Sequence, residues 1–139
     1  MCRKQDRNKK DDIHHLSQMG WTSHFQTQLK QFSDNGLIPA RVVGVRKNNF
    51  RISNGKQEWL ATAAGRLKHH SDCMYPVTGD WVLTTDKVIS EVLTRRNALS
   101  RGAAGTHGKQ DAQPKREQVI AANLDTVFVV CGLDRDFNV

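Results

Sequence analysis

The chain is short of cysteine and has no long apolar run, and each shortage excludes a class of protein. Its three cysteines, Cys2, Cys73 and Cys131, are scattered through 139 residues. An odd, dispersed set supplies neither a disulfide framework nor a C-x-x-C metal knuckle. Reduced, structural thiols fit a cytosolic protein. No apolar stretch reaches the roughly 18 residues that a membrane helix needs. The first thirty residues lack the apolar segment of a secretory signal. A cytoplasmic location with no membrane partner is therefore expected.

Acidic residues are also few. Fourteen Asp/Glu stand against 21 Lys/Arg, for a net charge of +7. Such a balance says nothing of fold, but it points to a polyanionic partner, nucleic acid above all. Apolar residues at 37% and charged residues at 25% fit one compact domain with wet segments attached.

The patterns that would carry chemistry are missing or out of context. Asn8-Lys9-Lys10-Asp11 spells the guanine-reading Asn-Lys-x-Asp, but in a charged run with no strand to present it. Gly102 to Lys109 is glycine-rich and ends Gly108-Lys109. A phosphate loop needs Gly-x4-Gly-Lys-Ser/Thr after an apolar strand. Here Ala103 takes the glycine position and Gln110 the hydroxyl position, and no strand leads in. His14-His15 and His69-His70 have no carboxylate or thiolate at a useful ligand spacing except Asp72 and Cys73, so solvent- or RNA-facing roles are expected. No Ser/His/Asp or Cys/His set stands out for nucleophilic catalysis. The expectation is no catalytic residue, no cofactor and no metal in this chain.

What is present is a small β-rich pattern between charged ends. Residues 1–20 are expected to be a disordered charged tail, since nothing in 1–12 can enter a core. Residues 21–36 hold a predicted helix at about 22–34. Phe25, Leu29 and Phe32 recur at helical spacing, Ser23 and Gln26 form a possible capping box, Asn35-Gly36 stops it, and Trp21 packs at its start. After Pro39 the pattern changes to strands. Arg41–Arg46 and Phe50–Ser53 are joined by Lys47-Asn48-Asn49, and Asn54-Gly55 turns the chain into Gln57–Thr62. An irregular stretch follows, then Trp81–Thr84, the turn Asp86-Lys87, and Val88–Leu93. Five short strands over residues 37–94, with the longer insertion after the third, suggest an OB-fold barrel; an SH3-like barrel is the competitor. The fold class is mainly β, a five-stranded barrel preceded by a helix.

Residues 95–118 read as a mobile basic linker, with six Lys/Arg and no apolar periodicity. The last segment, 119–139, changes character. Thr126 to Cys131 is a near-continuous apolar run, as in a strand buried on both faces of a parallel α/β sheet. No helix or second strand follows it, so the chain is expected to be a fragment. That strand, unpaired, is expected to be disordered, to pair locally or to promote association.

Several blocks carry a resemblance when taken together. They are Gly20-Trp21, Leu37-Ile38-Pro39-Ala40-Arg41-Val42, Pro76-Val77-Thr78-Gly79-Asp80-Trp81-Val82, Arg95-Arg96-Asn97-Ala98-Leu99-Ser100-Arg101, and Gln118 through Val130. In this order and spacing, over about residues 20–139, the chain resembles the ribosome-small-subunit-dependent GTPases, the RsgA, YjeQ or EngC family. The resemblance implies an N-terminal OB-fold, then a circularly permuted GTPase domain and a zinc-binding domain. Residues 119–139 would begin the GTPase domain. It further implies docking on 16S rRNA of the 30S subunit late in its maturation, with GTP hydrolysis by the intact, monomeric protein. The motifs for GTP with magnesium, and for one zinc, come later in the family and match nothing here. The chain alone is expected to be inactive.

The basic residues are the candidate RNA contacts. Arg41, Arg46, Lys47, Arg51 and Lys56 lie on or between the first three strands, Arg66 and Lys68 in the insertion, and Arg95, Arg96 and Arg101 in the linker. OB-folds commonly bind nucleic acid on strands 2 and 3 and in the adjoining loops. Residues 41–101 hold eleven Lys/Arg against five Asp/Glu, so binding is expected to weaken steeply with salt. Phe50, Trp59 and Trp81 are candidates for base stacking, with barrel core the preferred reading for the two tryptophans. The alternative function is a stand-alone OB-fold protein that binds single-stranded nucleic acid. A truncated or decayed gene product is a third possibility.

Overall fold

The computed structural model describes residues 14–32, 36–69, 74–102 and 117–130. Residues 14–18, expected within a disordered tail, are instead helical (α1) and bury Leu16, because its apolar side chain finds Trp21 and Phe25 beside it; α2 (Ser23–Leu29) follows. Five strands come next: β1 (Ile38–Arg46), β2 (Asn49–Ser53), β3 (Glu58–Ala63), β4 (Trp81–Thr85) and β5 (Val88–Val92), with α3 (Gly65–His69) between β3 and β4. They close a barrel in the order β1-β2-β3-β5-β4. Neighbours are antiparallel except β3 and β5, which pair in parallel at Thr62↔Val88 and Ala63↔Ile89. Parallel neighbours need a crossover, and the insertion through α3 and β4 supplies it. This is the OB arrangement, which strand spacing alone could not separate from an SH3-like barrel.

β1 serves two partners. Its first half pairs with β4 from Ile38↔Thr84 to Arg41↔Trp81, and its second half with β2 from Arg41↔Ser53 to Arg46↔Asn49. A bulge between Val42 and Gly44 bends the strand from one partner to the other.

Two apolar cores flank β4, whose residues Trp81 to Thr84 are all buried. Inside the barrel lie Val42, Phe50, Ile52, Val82 and Ile89, and Leu67 of α3 packs with them. On the outer side Leu16, Trp21 and Phe25 cover Trp81, Leu83 and Leu93, with Leu29 and Phe32 packed against them. Phe25 and Trp21 pack around Trp81, with ring centroids 5.8 and 4.8 Å from it. Phe25 is buried and Leu29 and Phe32 are partly buried, but the helix ends at Leu29 and not near 34 as expected, so Phe32 packs from beyond it. The cap differs: Thr22 is the N-cap, and no side chain caps the helix. Gln26 instead accepts a 3.0 Å bond from the Trp21 indole, so the side chain expected to cap anchors the buried aromatic.

Two further corrections concern the C-terminal third. Residues 98–102, expected within a mobile linker, form β6 (Ala98–Gly102), which pairs antiparallel with β7 (Glu117–Ala122). The pairing joins segments far apart in sequence, so local periodicity carries no sign of it. Residues 126–130, expected to be a strand, take no regular structure, and Phe128 and Val130 are about 90% exposed (88% and 92%). An apolar run becomes a buried strand only with strands beside it, and among the described residues none lies there. The Asn-Lys-x-Asp run at 8–11, all three cysteines, His70, Asp72, Val139 and positions 103–116 of the linker fall outside the described residues.

Candidate nucleic-acid interface

The outward face of β1, β2 and β3 is polar and cationic because alternate residues of each strand point away from the barrel. Phe50 and Ile52 point in, and Asn49 and Arg51 point out. Strand register lines up two outward rows. One runs Gly44–Arg51–Leu60 and the next Arg46–Asn49–Thr62, continuing to Val88 of β5. Gly44 leaves space beside Arg51, whose Nε and Nη2 lie 3.7 Å from where a Cβ would stand. Leu60 is 62% exposed, an apolar surface beside the guanidinium.

Both ends of the second row carry a lysine on a tight turn. Lys47 follows Arg46 with φ 51, and Asp86, with φ 53, turns the chain into Lys87 next to Val88. Three strand steps separate these turns around the barrel, about 15 Å at the usual spacing of roughly 4.8 Å. A nucleic-acid strand laid along the row therefore meets a cation at each end, and OB-folds use these two loops. The sequence pattern shows Asp86-Lys87 only as a turn, so Lys87 joins the candidate contacts through the structure.

The predicted cations divide sharply. Arg46, Lys47, Arg51, Lys56 and Lys68 are exposed. Arg51 lies 3.5 Å from Glu58, but both side chains are more than half exposed, so the pair holds Arg51 weakly. Lys56 sits in the Asn54-Gly55 turn at the far end of the β2–β3 hairpin, away from Lys47. Arg66 is engaged with Glu91 and the Ser90 carbonyl on β5. Arg101 donates to Gln118 at 3.1 and 3.2 Å across β6–β7, and Arg96 pairs with Asp125 at 2.7 Å.

Arg41 and Arg95 are committed to the fold. Arg95 holds buried Asp80, and Arg41 reaches the Met19, Gly79 and Asn123 carbonyls. Burial lowers the Arg41 pKa from the ordinary arginine value; Asp125 opposes that and Arg96 adds to it. Of the candidate stacking aromatics, Phe50 and Trp81 are fully buried and Trp59 packs against the barrel core, so the outward face offers Leu60 and Arg51 instead.

His14 and His15 contact each other edge to face. Among the described residues no group of three His, Cys, Asp or Glu could hold a metal ion, and no helix is long and apolar enough to cross a membrane.

Comparison with known proteins gives a consistent result, although no family model matches the chain. It is 35% identical to the small ribosomal subunit biogenesis GTPase RsgA of Syntrophotalea carbinolica over 88% of its length. It is 37% identical to the protein of the same name from Opitutus terrae, again over 88%, and 42% identical to that of Xanthomonas oryzae pv. oryzae over 73%. It spans 35%, 36% and 27% of those relatives, about a third of their length. The blocks that carried the resemblance in sequence are the ones that build the barrel, its β4 approach and the junction with β7. The chain belongs to the RsgA family of small ribosomal subunit biogenesis GTPases.

Proposed function

We propose that this chain supplies the RNA-docking part of a GTPase that acts in late maturation of the small ribosomal subunit. One observation carries the reading: an exposed row runs from Lys47 through Arg46, Asn49 and Thr62 to Lys87, with Arg51 beside it. Its partner is 16S rRNA in the 30S subunit, in the cytoplasm. Lysine and arginine neutralise phosphates and release counterions. Shape and backbone contacts suffice for a folded rRNA site, so a row of cations with few exposed aromatics suits it better than base stacking does.

In this reading the intact protein acts as a monomer and hydrolyses GTP with magnesium, and it holds one zinc. On this reading those sites lie outside the part of the protein that this chain spans. The sequence holds no Gly-x4-Gly-Lys-Ser/Thr, and on this reading the chain alone is expected neither to bind nor to hydrolyse GTP. The test is co-sedimentation with purified 30S subunits at low and high salt, with 50S subunits as control. Salt-sensitive pelleting with 30S alone supports docking. Equal pelleting with both overturns it.

A stand-alone protein for single-stranded nucleic acid is the second reading. Leu60 beside Arg51 favours it, as an exposed apolar surface on which one base could rest. It predicts binding to oligonucleotides with no preference for ribosomal subunits.

A further inference from the structure

Arg41 joins three segments that are distant in sequence. It leaves the middle of β1 and places its guanidinium among three backbone carbonyls. Nη1 donates to Met19 in the turn after α1, Nε to Gly79 before β4 at 3.3 Å, and Nη2 to Asn123 after β7 at 2.8 Å. The group also lies over the Trp81 ring, 5.7 Å from its centroid. A rigid fork with five donors can serve three carbonyls together; a lysine ammonium is a single point that cannot.

Asn123 answers from the other side. Its Oδ1 accepts from the Arg96 amide at 2.9 Å, and its Nδ2 donates to Gly79 O at 3.1 Å. Asn123 has φ 54, a left-handed conformation that asparagine tolerates better than most residues. The approach is tight, because a Cβ on Gly79 would stand 2.0 Å from the Ala122 carbonyl oxygen.

Besides this junction, the sheet meets the barrel at a parallel bridge, Thr78↔Ala121, where the Ala122 amide donates to Thr78 O at 2.9 Å. Residues 98–102 are exposed throughout, and burial on β7 is complete only at Ala122. A two-stranded sheet is marginal by itself, so its direction is decided at its attachment. We propose that Arg41 and Asn123 form a clasp that fixes the direction in which β6–β7 leave the barrel, and so holds residues 117–125 in one orientation relative to the cationic face. Arg41 is then a positioning residue and not an RNA contact. The clasp does not depend on the RNA reading.

Hydrogen exchange on the full 139-residue chain tests it. The amides of Ala122, Asn123 and Leu124 donate to Thr78 O, Asn97 O and Asn97 Oδ1. In Arg41→Met and Arg41→Lys these amides are expected to exchange about tenfold faster or more, given what charge-assisted bonds contribute. The barrel amides of Thr62 and Ala64, which donate to Lys87 O and Ile89 O, should change by less than about threefold, since a local opening leaves the rest of the fold protected. Asn123→Gly keeps the left-handed backbone, removes the side-chain bonds, and should give the same local pattern. If Arg41 variants do not fold, Asn123→Gly decides alone. Unchanged protection at 122–124, or equal acceleration in barrel and junction, overturns the clasp.

Discussion

Arg95 grips Asp80 through two hydrogen bonds of 2.8 Å, with the carboxylate fully buried and the arginine side chain only 13% exposed. Asp80 Oδ2 also accepts from the Val77 amide at 2.8 Å, and Arg95 reaches the Tyr75 carbonyl at 3.0 Å. The pair fastens the approach to β4 to the segment leaving β5. Removing one partner strands a buried charge, so Arg95→Met should cost about 3–5 kcal/mol in urea denaturation. A cost near zero would mean that Asp80 finds water when the arginine is gone.

Two glycines with positive φ should behave differently. Gly36, at φ +68, has no atom within 4 Å of the place a Cβ would occupy, so Gly36→Ala should cost about 1–2 kcal/mol, the left-handed penalty alone. Gly79, at φ +92, would drive its Cβ into the Ala122 carbonyl, so Gly79→Ala adds about 1–3 kcal/mol of overpacking. Thermal melts of the two variants compare them directly. Equal losses would contradict the close approach of β7.

Arg51 separates binding from stability. Its exposed pair with Glu58 is worth little, so Arg51→Ala should change stability by no more than about 0.5 kcal/mol. RNA affinity should nevertheless fall. A variant that loses stability and affinity together would make Arg51 a structural residue.

Lys47 and Lys87 should each count as one phosphate contact. Replacing either with alanine should weaken RNA binding and reduce the slope of log affinity against log salt by about 1. An unchanged slope would place the phosphates elsewhere on the surface.

Local pattern carried the barrel. Phe50 and Ile52 alternate with Asn49 and Arg51, and Asn54-Gly55 marks the β2–β3 turn, so these strands were legible within a residue or two. Phe25 and Leu29 gave the packed face of α2 for the same reason, although the spacing extended the helix to Phe32, which lies beyond its end. β6 and β7 were illegible because residues 98–102 find their partners at 117–122, and no local rule encodes that pairing. The run 126–130 misled because apolar β-character reports a preference that only neighbouring strands can satisfy. Charge nominated Arg46, Lys47 and Arg51, which the fold leaves exposed, but charge is blind to commitment. Arg41 and Arg95 looked the same in sequence, and only the fold shows them spent on carbonyls and Asp80. Lys87 entered the site through register, since Thr62↔Val88 brings its turn into line with Arg46.

The most direct test of the docking face is pelleting with 30S subunits by two charge-reversed chains of equal net charge. One carries Lys47→Glu, Arg51→Glu and Lys87→Glu. The other carries Lys56→Glu, Lys68→Glu and Arg101→Glu, which are exposed but off the row. Near-UV circular dichroism confirms that both keep the barrel. The first chain should lose pelleting at a salt concentration where the second retains most of it. Equal loss in both, or retention by the first, would contradict a docking face on β1–β3.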